Sequence, residues 1–296
     1  MPPQPIIFLH IPKTGGMSLE DVVVRQFPPT AVYRINGPLG TSAAELRRLP
    51  DERRATIGCV YGHVPFGLHA CLPQAAAYLT LLRDPVERIV SIYYYARRRA
   101  EWGLHSQILD RRLSLQDFVV SDLAAEFHNQ QTQMVAGMDR PADDPEALVR
   151  AKKNLTDCVA LAGITERFDE SLLLCRSLFG WKNVFYHRAN VNRRRPHLED
   201  ISRATIASIE QRNTLDLELY EIVRRRFDTL VRAHPSVGRD LQRFRRRNGL
   251  YGPAASLVAK PMNLASACVG ERPDHRAGGR PPMRSCGLRT LDLGTP

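Results

Sequence analysis

Residues 7–19, IFLHIPKTGGMSL, decide the fold of this chain, because they combine an apolar run, a glycine loop and the start of a helix. The apolar run from Pro5 to Ile11 predicts a buried strand, and the Pro-Lys-Thr-Gly-Gly sequence after it predicts a loop. Ser18 is the expected N-cap of a helix over LEDVVVRQF. A strand, a glycine loop and a helix in this order are typical of the opening unit of a phosphate-binding α/β fold.

A second unit of the same kind begins at residue 77. Ala77 to Leu82 predicts another buried strand, Asp84 is the expected N-cap, and Pro85 suits the first position of the helix that follows. Because strands that alternate with helices form parallel sheets, the sequence predicts an α/β fold. We expect three layers, with a central parallel sheet flanked by helices and a helix-rich C-terminal half.

The rest of the chain predicts further strands and a long helix, and its composition changes at residue 249. From residue 249 the sequence is rich in Gly, Pro, Ala and Arg and has no sustained period, so we expect one domain over 1–248 and a disordered tail over 249–296. The other predicted elements are a strand over 56–61 that ends at Gly62-His63, short strands over 159–161 and 184–186, and a helix over 213–247.

The chain of 296 residues is basic, with 42 Lys and Arg against 31 Asp and Glu and a formal net charge of +11. Of the basic residues 37 are Arg, whose planar side chain suits bidentate contacts with phosphate and sulfate. This charge points to a nucleic-acid binder, a nucleotide-using enzyme or an enzyme with an acidic substrate. A GC-rich genome is the alternative source of the arginine. The 43% hydrophobic content excludes a chain disordered throughout and a fibrous architecture.

The chain carries no targeting signal that we recognise. The apolar run over 6–9 is too short for a secretory signal and lacks its charged start, and no stretch approaches the roughly 18 apolar residues that span a bilayer. We therefore expect a cytoplasmic protein without a transmembrane segment. The six cysteines form no CxxC pair, which favours buried thiols over a metal site or a disulfide framework.

The loop of the first unit has the residue types that bind a phosphate. Gly15 and Gly16 allow close approach of the backbone, N–H groups at the helix start point at the anion, Lys13 supplies a charge, and Thr14 and Ser18 supply hydroxyls. The lysine precedes the glycines here, whereas in the Walker A motif it follows them. An ordinary solvated turn is the alternative interpretation.

Arg83 and Ser91 are candidates for a second phosphate site. Arg83 follows the strand of the second unit and so projects into the crevice where α/β sheets bind ligands. Ser91 comes seven residues after Asp84, about two helical turns, so it lies on the same face of the helix as the cap. A surface serine is the simpler interpretation of Ser91 taken alone.

These segments resemble the sulfotransferases that use 3′-phosphoadenosine 5′-phosphosulfate, and in particular the carbohydrate branch that includes heparan sulfate 2-O-sulfotransferase. The resemblance implies a P-loop-like sulfotransferase domain over 1–248, with that nucleotide as co-substrate and no metal. The resemblance spans about residues 5–230, and its segments follow the order of the family. The stronger segments are IFLHIPKTGGMSL (7–19), VYGHVPF (60–66), LTLLRDPVERIVSIYYY (79–95) and ALAGITERFDESLLL (160–174). The weaker segments are NVFYHRANVNRRRP (183–196) and LDLELY (215–220).

The resemblance assigns catalytic roles to Lys13 and His63. In the family the lysine of the glycine loop contacts the oxygen that bridges sulfate and 5′-phosphate, and its position matches Lys13. The GHV segment resembles that of the 2-O-sulfotransferase, whose catalytic base is its histidine, here His63. Sulfuryl transfer is an in-line displacement, so a base at the attacking hydroxyl and a cation at the leaving oxygen both lower its barrier.

The resemblance also implies residues that bind the nucleotide. Arg83 and Ser91 match the pair that binds the 3′-phosphate, while Met17 departs from the usual threonine and puts one hydroxyl contact in question. Arg194, in the basic run 193–195, could close over the 3′-phosphate or steer an anionic acceptor, and a solvated basic loop is the alternative. The residues implied around the 5′-phosphate are Lys13, Thr14, Gly15, Gly16 and Ser18.

We therefore predict a sulfotransferase that acts on a hydroxyl acceptor, a carbohydrate or glycoconjugate such as a glycan or glycolipid. A P-loop-like nucleotide-dependent kinase is the runner-up, against which stand the misplaced lysine and the lack of an evident metal-binding Asp after the second strand. A nucleic-acid partner is not expected, since few aromatic residues interleave the basic runs and no helix-turn-helix or zinc pattern occurs. The oligomeric state has no signal in the sequence.

Two further sets of polar residues complete the sequence-based picture. His10, on the first strand, is interpreted as structural. His128, Asn129, Gln130 and Gln133, in the segment EFHNQQTQ, could line the acceptor or adenine side, with solvated helix residues as the alternative.

Overall fold

The computed structural model describes residues 4–35, 39–138, 144–187 and 196–258. Its centre is a five-stranded sheet in which every pair of neighbouring strands is parallel, in the order β2-β3-β1-β4-β5. The predicted α/β class with a central parallel sheet is therefore confirmed. The strands are β1 (Ile6–Leu9), β2 (Val32–Arg34), β3 (Cys59–Gly62), β4 (Ala77–Leu82) and β5 (Val159–Ile164).

Helices flank the sheet and make up most of the chain after β4. Among them, α8, α9 and α11 pack against β5. The helices are α1 (Gly16–Val24), α2 (Leu39–Arg48), α3 (Asp51–Ala55), α4 (Pro85–Ala96), α5 (Leu104–Asp110), α6 (Leu115–Val120), α7 (Gln130–Ala136), α8 (Pro145–Asp157), α9 (Phe168–Phe179), α10 (Arg203–Arg212), α11 (Thr214–Ala233) and α12 (Pro235–Val258).

The central strands are apolar along their whole length because both of their faces are covered. Every residue of β1, β3 and β4 is buried, as expected for strands of a parallel sheet between helix layers. A second apolar cluster lies between α4, α5, α6 and α10. Helix α4 thus packs against α5, α6 and α10.

Two predicted strands differ from the observed structure. The strand expected over 56–61 begins later, at Cys59, and ends at Gly62. Residues 184–186 form no strand and pair with no strand of the described structure. The backbone N–H of Tyr186 instead donates to Oδ1 of Asn248 (2.8 Å), a side chain of α12.

The long helix predicted over 213–247 is two helices. Helix α11 ends at Ala233 and α12 begins at Pro235, because proline lacks the N–H that a continuing helix needs and suits the first position of a new one. Helix α12 then passes the predicted domain boundary at residue 248 and reaches Val258. Tyr251 stacks on Phe185 with ring centroids 5.8 Å apart, so this part of the predicted tail packs on the domain.

The cysteines follow the sequence-based expectation only in part. Cys59, Cys71 and Cys175 are free and buried. Cys158 is disulfide-bonded, so the expectation of a thiol is wrong at that position.

Within the described ranges, no helix is long and apolar enough to cross a bilayer. The cytoplasmic location stays a prediction from the sequence.

Candidate active site

The candidate site lies where the central strands end. Leu9 of β1 pairs with Gly62 of β3 and with Thr80 of β4. Since the strands are parallel, the glycine loop after β1, His63 after β3 and Arg83 after β4 all leave the sheet at its carboxyl edge. This is the edge where open α/β sheets bind ligands, and the structure therefore brings the two predicted phosphate sites and the predicted base to one side of the sheet.

The glycine loop turns by left-handed backbone conformations before α1 begins. Lys13 has φ 68° and Gly15 has φ 82°, and glycine adopts such angles without steric cost. Gly15, not Ser18, is the N-cap of α1, which begins at Gly16. Ser18 is thus a buried residue of the first helical turn, and the predicted cap was wrong because the left-handed glycine starts the helix earlier. Helix N-termini present backbone N–H groups to anions, and here that end of α1 faces the sheet edge.

Thr14 and Gly16, both predicted to lie around the 5′-phosphate, each support the local structure of the glycine loop. The Thr14 hydroxyl donates to the carbonyl of Ile11 (2.9 Å) and is buried, so it closes the loop on itself. A Cβ on Gly16 would lie 2.0 Å from the ring of His10. Gly16 therefore allows the buried His10 ring to pack against the start of α1, in agreement with the structural interpretation of His10.

Lys13 lies in a group of positive charges at the sheet edge. Its ammonium nitrogen is 3.5 Å from the centroid of the Tyr95 ring. Burial, and after it the charges of Arg83, Arg98 and Arg99, lower the pKa of Lys13 from 10.5 to about 7. Cations held this close repel one another, so a bound anion would relieve the repulsion and restore the charge on Lys13.

Arg83 reaches from the end of β4 towards the glycine loop. Its Nη1 donates to the carbonyl of Lys13 (3.2 Å) and its Nη2 pairs with Oε2 of Glu87 (2.8 Å). Oε1 of Glu166, beyond β5, lies 3.9 Å from Nε of Arg83. The guanidinium thus lies beside the loop, between two carboxylates.

Ser91 lies on the face of α4 that is turned to this group. Glu87, Ser91 and Tyr95 are spaced by four residues and so share one helical face. Glu87 contacts Arg83 and Tyr95 contacts Lys13, which places half-buried Ser91 between the two contacts. The structure therefore brings Ser91 to the same region as Lys13 and Arg83.

His63 is an exposed residue that forms a hydrogen bond through one ring nitrogen. Its Nδ1 lies 2.9 Å from the carbonyl oxygen of His10, and because a carbonyl only accepts, Nδ1 carries the proton and Nε2 is left as an acceptor. The residue as a whole is accessible to solvent, but neighbouring protein surrounds much of the ring. That enclosure and the neighbouring His10 lower the pKa of His63 from 6.5 to about 4. His63 is therefore a neutral imidazole with an available lone pair at neutral pH.

A buried ion pair behind the loop was not predicted from the sequence. Arg88 of α4 and Asp216 of α11 are both 0% exposed, with Nη1 and Oδ2 4.0 Å apart. Arg88 also donates from Nε to the carbonyl of Pro12 (3.1 Å) and from Nη1 to that of Phe127 (3.0 Å). Burial lowers the pKa of Arg88 to about 10 and raises that of Asp216. The available signal was an arginine between apolar helix residues in VERIV.

Two residues of the EFHNQQTQ segment, Asn129 and Gln130, contact the elements of this pair. Oδ1 of Asn129 accepts from the backbone N–H of Leu215 (3.0 Å) and of Asp216 (3.1 Å) and so caps α11. Gln130 accepts a hydrogen bond from Arg88. Gln133 is half-buried on α7. The residue of this segment that borders a cavity, of about 390 Å³, is His128, together with Gln211, Arg212, Thr214 and Leu215.

Arg194 and its neighbours 193 and 195 lie outside the described residues. Among the residues that the structure does describe, no three His, Cys, Asp or Glu side chains are grouped as a metal site would need.

The sequence is similar to that of carbohydrate sulfotransferases. A family model described as galactose-3-O-sulfotransferase matches residues 2–276. Heparan-sulfate 6-O-sulfotransferase 3-B of Danio rerio is 25% identical over 273 residues, which cover 74% of this chain and 62% of that protein. Galactose-3-O-sulfotransferase 3 of Bos taurus is 26% identical over 248 residues, 74% of this chain and 57% of that protein. Heparan sulfate 2-O-sulfotransferase 1 of Xenopus laevis is 24% identical over 256 residues, which cover 77% of this chain and 72% of that protein.

The resemblance to carbohydrate sulfotransferases is thereby confirmed, and the kinase alternative has no support. The three relatives differ by at most two percentage points in identity, 24%, 25% and 26%, so identity singles out no branch. The chain spans about three fifths of the length of the first two relatives.

Proposed function

The chain belongs to the galactose-3-O-sulfotransferase family, and on that premise we propose that it transfers a sulfuryl group from 3′-phosphoadenosine 5′-phosphosulfate to a carbohydrate hydroxyl. One observation carries the proposal. Lys13, Arg83 and the start of α1 meet at the carboxyl edge of the sheet, and His63 presents an unprotonated nitrogen at the same edge. A cationic cradle beside a neutral base fits a reaction in which an anion leaves and a hydroxyl is deprotonated.

The residues present fit the doubly phosphorylated donor. The first turn of α1 and Lys13 suit the 5′-phosphosulfate, since helix N–H groups and an ammonium both bind anions. Arg83 and Ser91, farther along the edge, suit the 3′-phosphate. The lowered pKa of Lys13 supports this assignment, because it arises partly from neighbouring cations that a polyanion would neutralise.

In the proposed transfer His63 and Lys13 have separate tasks. Nε2 of His63 removes the proton of the acceptor hydroxyl as its oxygen forms a bond to sulfur. Lys13 stabilises the charge that grows on the bridging oxygen as the bond from sulfur to that oxygen breaks. The products are a sulfated acceptor, adenosine 3′,5′-bisphosphate and one proton, held by His63 until solvent takes it. The His10 carbonyl fixes the tautomer of His63 that this step needs.

We propose a saccharide as the acceptor. Relatives of this chain are named for sulfation of heparan sulfate or galactose, and both are saccharides with free hydroxyls. The Arg98 and Arg99 side chains, close enough to act on the charge of Lys13, favour an acceptor with acidic groups.

A binding and transfer experiment tests the proposal. Adenosine 3′,5′-bisphosphate without Mg²⁺ is expected to raise the melting temperature of the protein, whereas ATP with Mg²⁺ has a smaller effect. Sulfur-labelled donor is then offered with neutral and acidic oligosaccharides, and label is expected in the saccharide. No thermal shift at saturating bisphosphate overturns the donor assignment, and binding without transfer to any saccharide overturns the acceptor class.

A further inference from the structure

The side chain of Gln131 holds the backbone of Arg83 by two hydrogen bonds. Oε1 accepts from the Arg83 N–H (2.9 Å) and Nε2 donates to the Arg83 carbonyl (2.9 Å). The last pair of residues between β4 and β5 is Leu82 with Ile164. The amide of Gln131 therefore continues backbone-like hydrogen bonding one residue beyond the end of the strand, at the residue that carries the guanidinium.

Gln131 is itself fixed by the buried ion pair. Oδ2 of Asp216 accepts from the Gln131 N–H (3.2 Å), and Oδ1 accepts from the N–H and the hydroxyl of Thr132 (2.7 and 2.8 Å). Gln131, Thr132 and Asp216 are each 0% exposed. A buried amide that is bonded through both of its polar atoms has little freedom. The position of Gln131 is therefore set by α7 and α11, and it determines the position of the Arg83 backbone.

The same network reaches the other half of the candidate site. Arg88, the partner of Asp216, donates to the carbonyl of Pro12, which directly precedes Lys13. One buried network thus contacts the backbone on both sides of the cradle, and it can set the distance between the glycine loop and Arg83.

We infer that Gln131 is a positioning residue, which sets the place of Arg83 for the 3′-phosphate of the donor nucleotide. The inference rests on the proposed function. Gln131 holds the backbone of Arg83, and the guanidinium of Arg83 lies beside Lys13 and Glu87. A displacement of about 1 Å in a positioned group can cost on the order of 100-fold, so loss of the clamp weakens the contact made by Arg83 even though Arg83 remains.

The test compares two nucleotides that differ only in the 3′-phosphate. Dissociation constants of adenosine 3′,5′-bisphosphate and adenosine 5′-monophosphate are measured by calorimetry on the full chain and on Gln131→Met, which keeps the size of the side chain and removes both hydrogen bonds. We expect the variant to bind the bisphosphate about tenfold more weakly or worse, while binding of the monophosphate changes less than about twofold.

A matched control separates positioning from a general loss of packing. Asn154→Leu removes another buried amide, whose Nδ2 donates to the carbonyl of Val135 on α7 (2.9 Å) and which has no bond to Arg83. We expect it to leave the ratio of the two dissociation constants unchanged. If Gln131→Met does not fold, Gln131→Asn replaces it, because the shorter side chain keeps a neutral amide but draws it back from the backbone of Arg83.

The outcomes distinguish this inference from the proposed function. Equal weakening of both nucleotides in the Gln131 variant, or an unchanged ratio, overturns the positioning role and leaves the donor assignment in place. A wild-type protein that does not prefer the bisphosphate overturns the donor assignment, and the positioning role with it. Selective loss in the Gln131 variant, with none in Asn154→Leu, supports both.

Discussion

Lys13 has a lowered pKa, so its charge is expected to change when an anion binds. The pKa of about 7 means that at pH 8 most of the ammonium groups in the free protein have lost their proton, since burial and neighbouring cations disfavour the charged form. A bound anion favours that form and raises the pKa again. The charge of Lys13 is therefore coupled to the occupancy of the site, a property that a solvent-exposed lysine does not have.

We predict that adenosine 3′,5′-bisphosphate binds at pH 8 with uptake of close to one proton per protein. The sign follows from the direction of the shift, because Lys13 is mostly neutral when free and protonated when bound. Calorimetry in two buffers of different ionisation enthalpy measures this number. Lys13→Met is expected to bind more weakly and to lose the uptake. Identical binding enthalpies of the wild-type protein in both buffers contradict the prediction.

His63 leads to a prediction for rate and pH. His63→Ala is expected to lower transfer by about 10²–10⁴-fold and to leave bisphosphate binding unchanged, since the ring is the proposed base and not a donor contact. A pKa of about 4 keeps the base unprotonated down to about pH 5, so the loss of kcat/KM on the acid side of the wild-type pH profile is expected to begin below that pH, and not near the usual 6.5.

The control for this variant is His234→Ala. His234 has the same kind of bond, from Nδ1 to the carbonyl of Leu230 (2.9 Å), at the far end of α11. It is expected to transfer at the wild-type rate. A His63→Ala enzyme with full activity would falsify the assignment of the base.

Among the elements, α4 connects local sequence most directly to the site. Its N-cap is Asp84, whose Oδ1 accepts from the N–H of Glu87 (3.0 Å), and Pro85 is its first residue. Both were predicted, because a full apolar strand followed by Asp-Pro defines a strand end and a helix start at adjacent residues. The cap therefore fixes where Arg83 lies, between the end of the strand and the start of the helix, and where Ser91 lies on the helix.

We predict that Asp84→Ala lowers both stability and nucleotide affinity. Loss of an N-cap costs about 0.5–2 kcal/mol of unfolding free energy, measurable by denaturant titration. Ser114→Ala, at the cap of α6, should have a similar cost in stability. Only Asp84→Ala is expected to weaken bisphosphate binding, because only that cap adjoins Arg83. Equal affinities of the two variants for the bisphosphate would show that the start of α4 does not set the site.

Other element boundaries depended on contacts that are distant in sequence. The predicted strand at 184–186 has suitable residues, yet Tyr186 packs its ring against Phe168 at a centroid distance of 4.7 Å and bonds its backbone to α12. The cap of α1 moved from Ser18 to Gly15 because of a left-handed turn. Local propensity reports the preference of a residue for a conformation and not the partner that it will meet.

On the scale of the whole molecule, the Arg88–Asp216 pair joins α4, the glycine loop, α7 and α11. A pair buried in this way is weak evidence for stability, because removing two charges from water costs about as much as their attraction returns. Its separate bonds to Pro12, Phe127, Gln131 and Thr132 indicate that it fixes the relative positions of these segments.

We predict that Asp216→Asn is strongly destabilising, by about 3–5 kcal/mol, because it leaves the Arg88 charge buried without its counter-charge. Urea unfolding followed by circular dichroism measures the change. Asp228→Asn, which removes one of the two carboxylates that pair with part-exposed Arg167, is expected to cost less than about 1 kcal/mol. Similar small losses in both variants would mean that Arg88 finds another neutralising group.

By itself, the sequence determined the parallel α/β class, the strand-loop-helix units and the residues at their junctions. These follow from continuous apolar runs, glycines and caps that act within a few residues. Tertiary structure alone decided that Arg88, Gln131 and Asp216 support the site from within. The physical reason is that the burial and the hydrogen bonds of these residues come from segments that are distant in the chain. Gln131 and Arg83, for example, are 48 residues apart. A local sequence pattern covers only a few residues and so does not show which distant segments will meet.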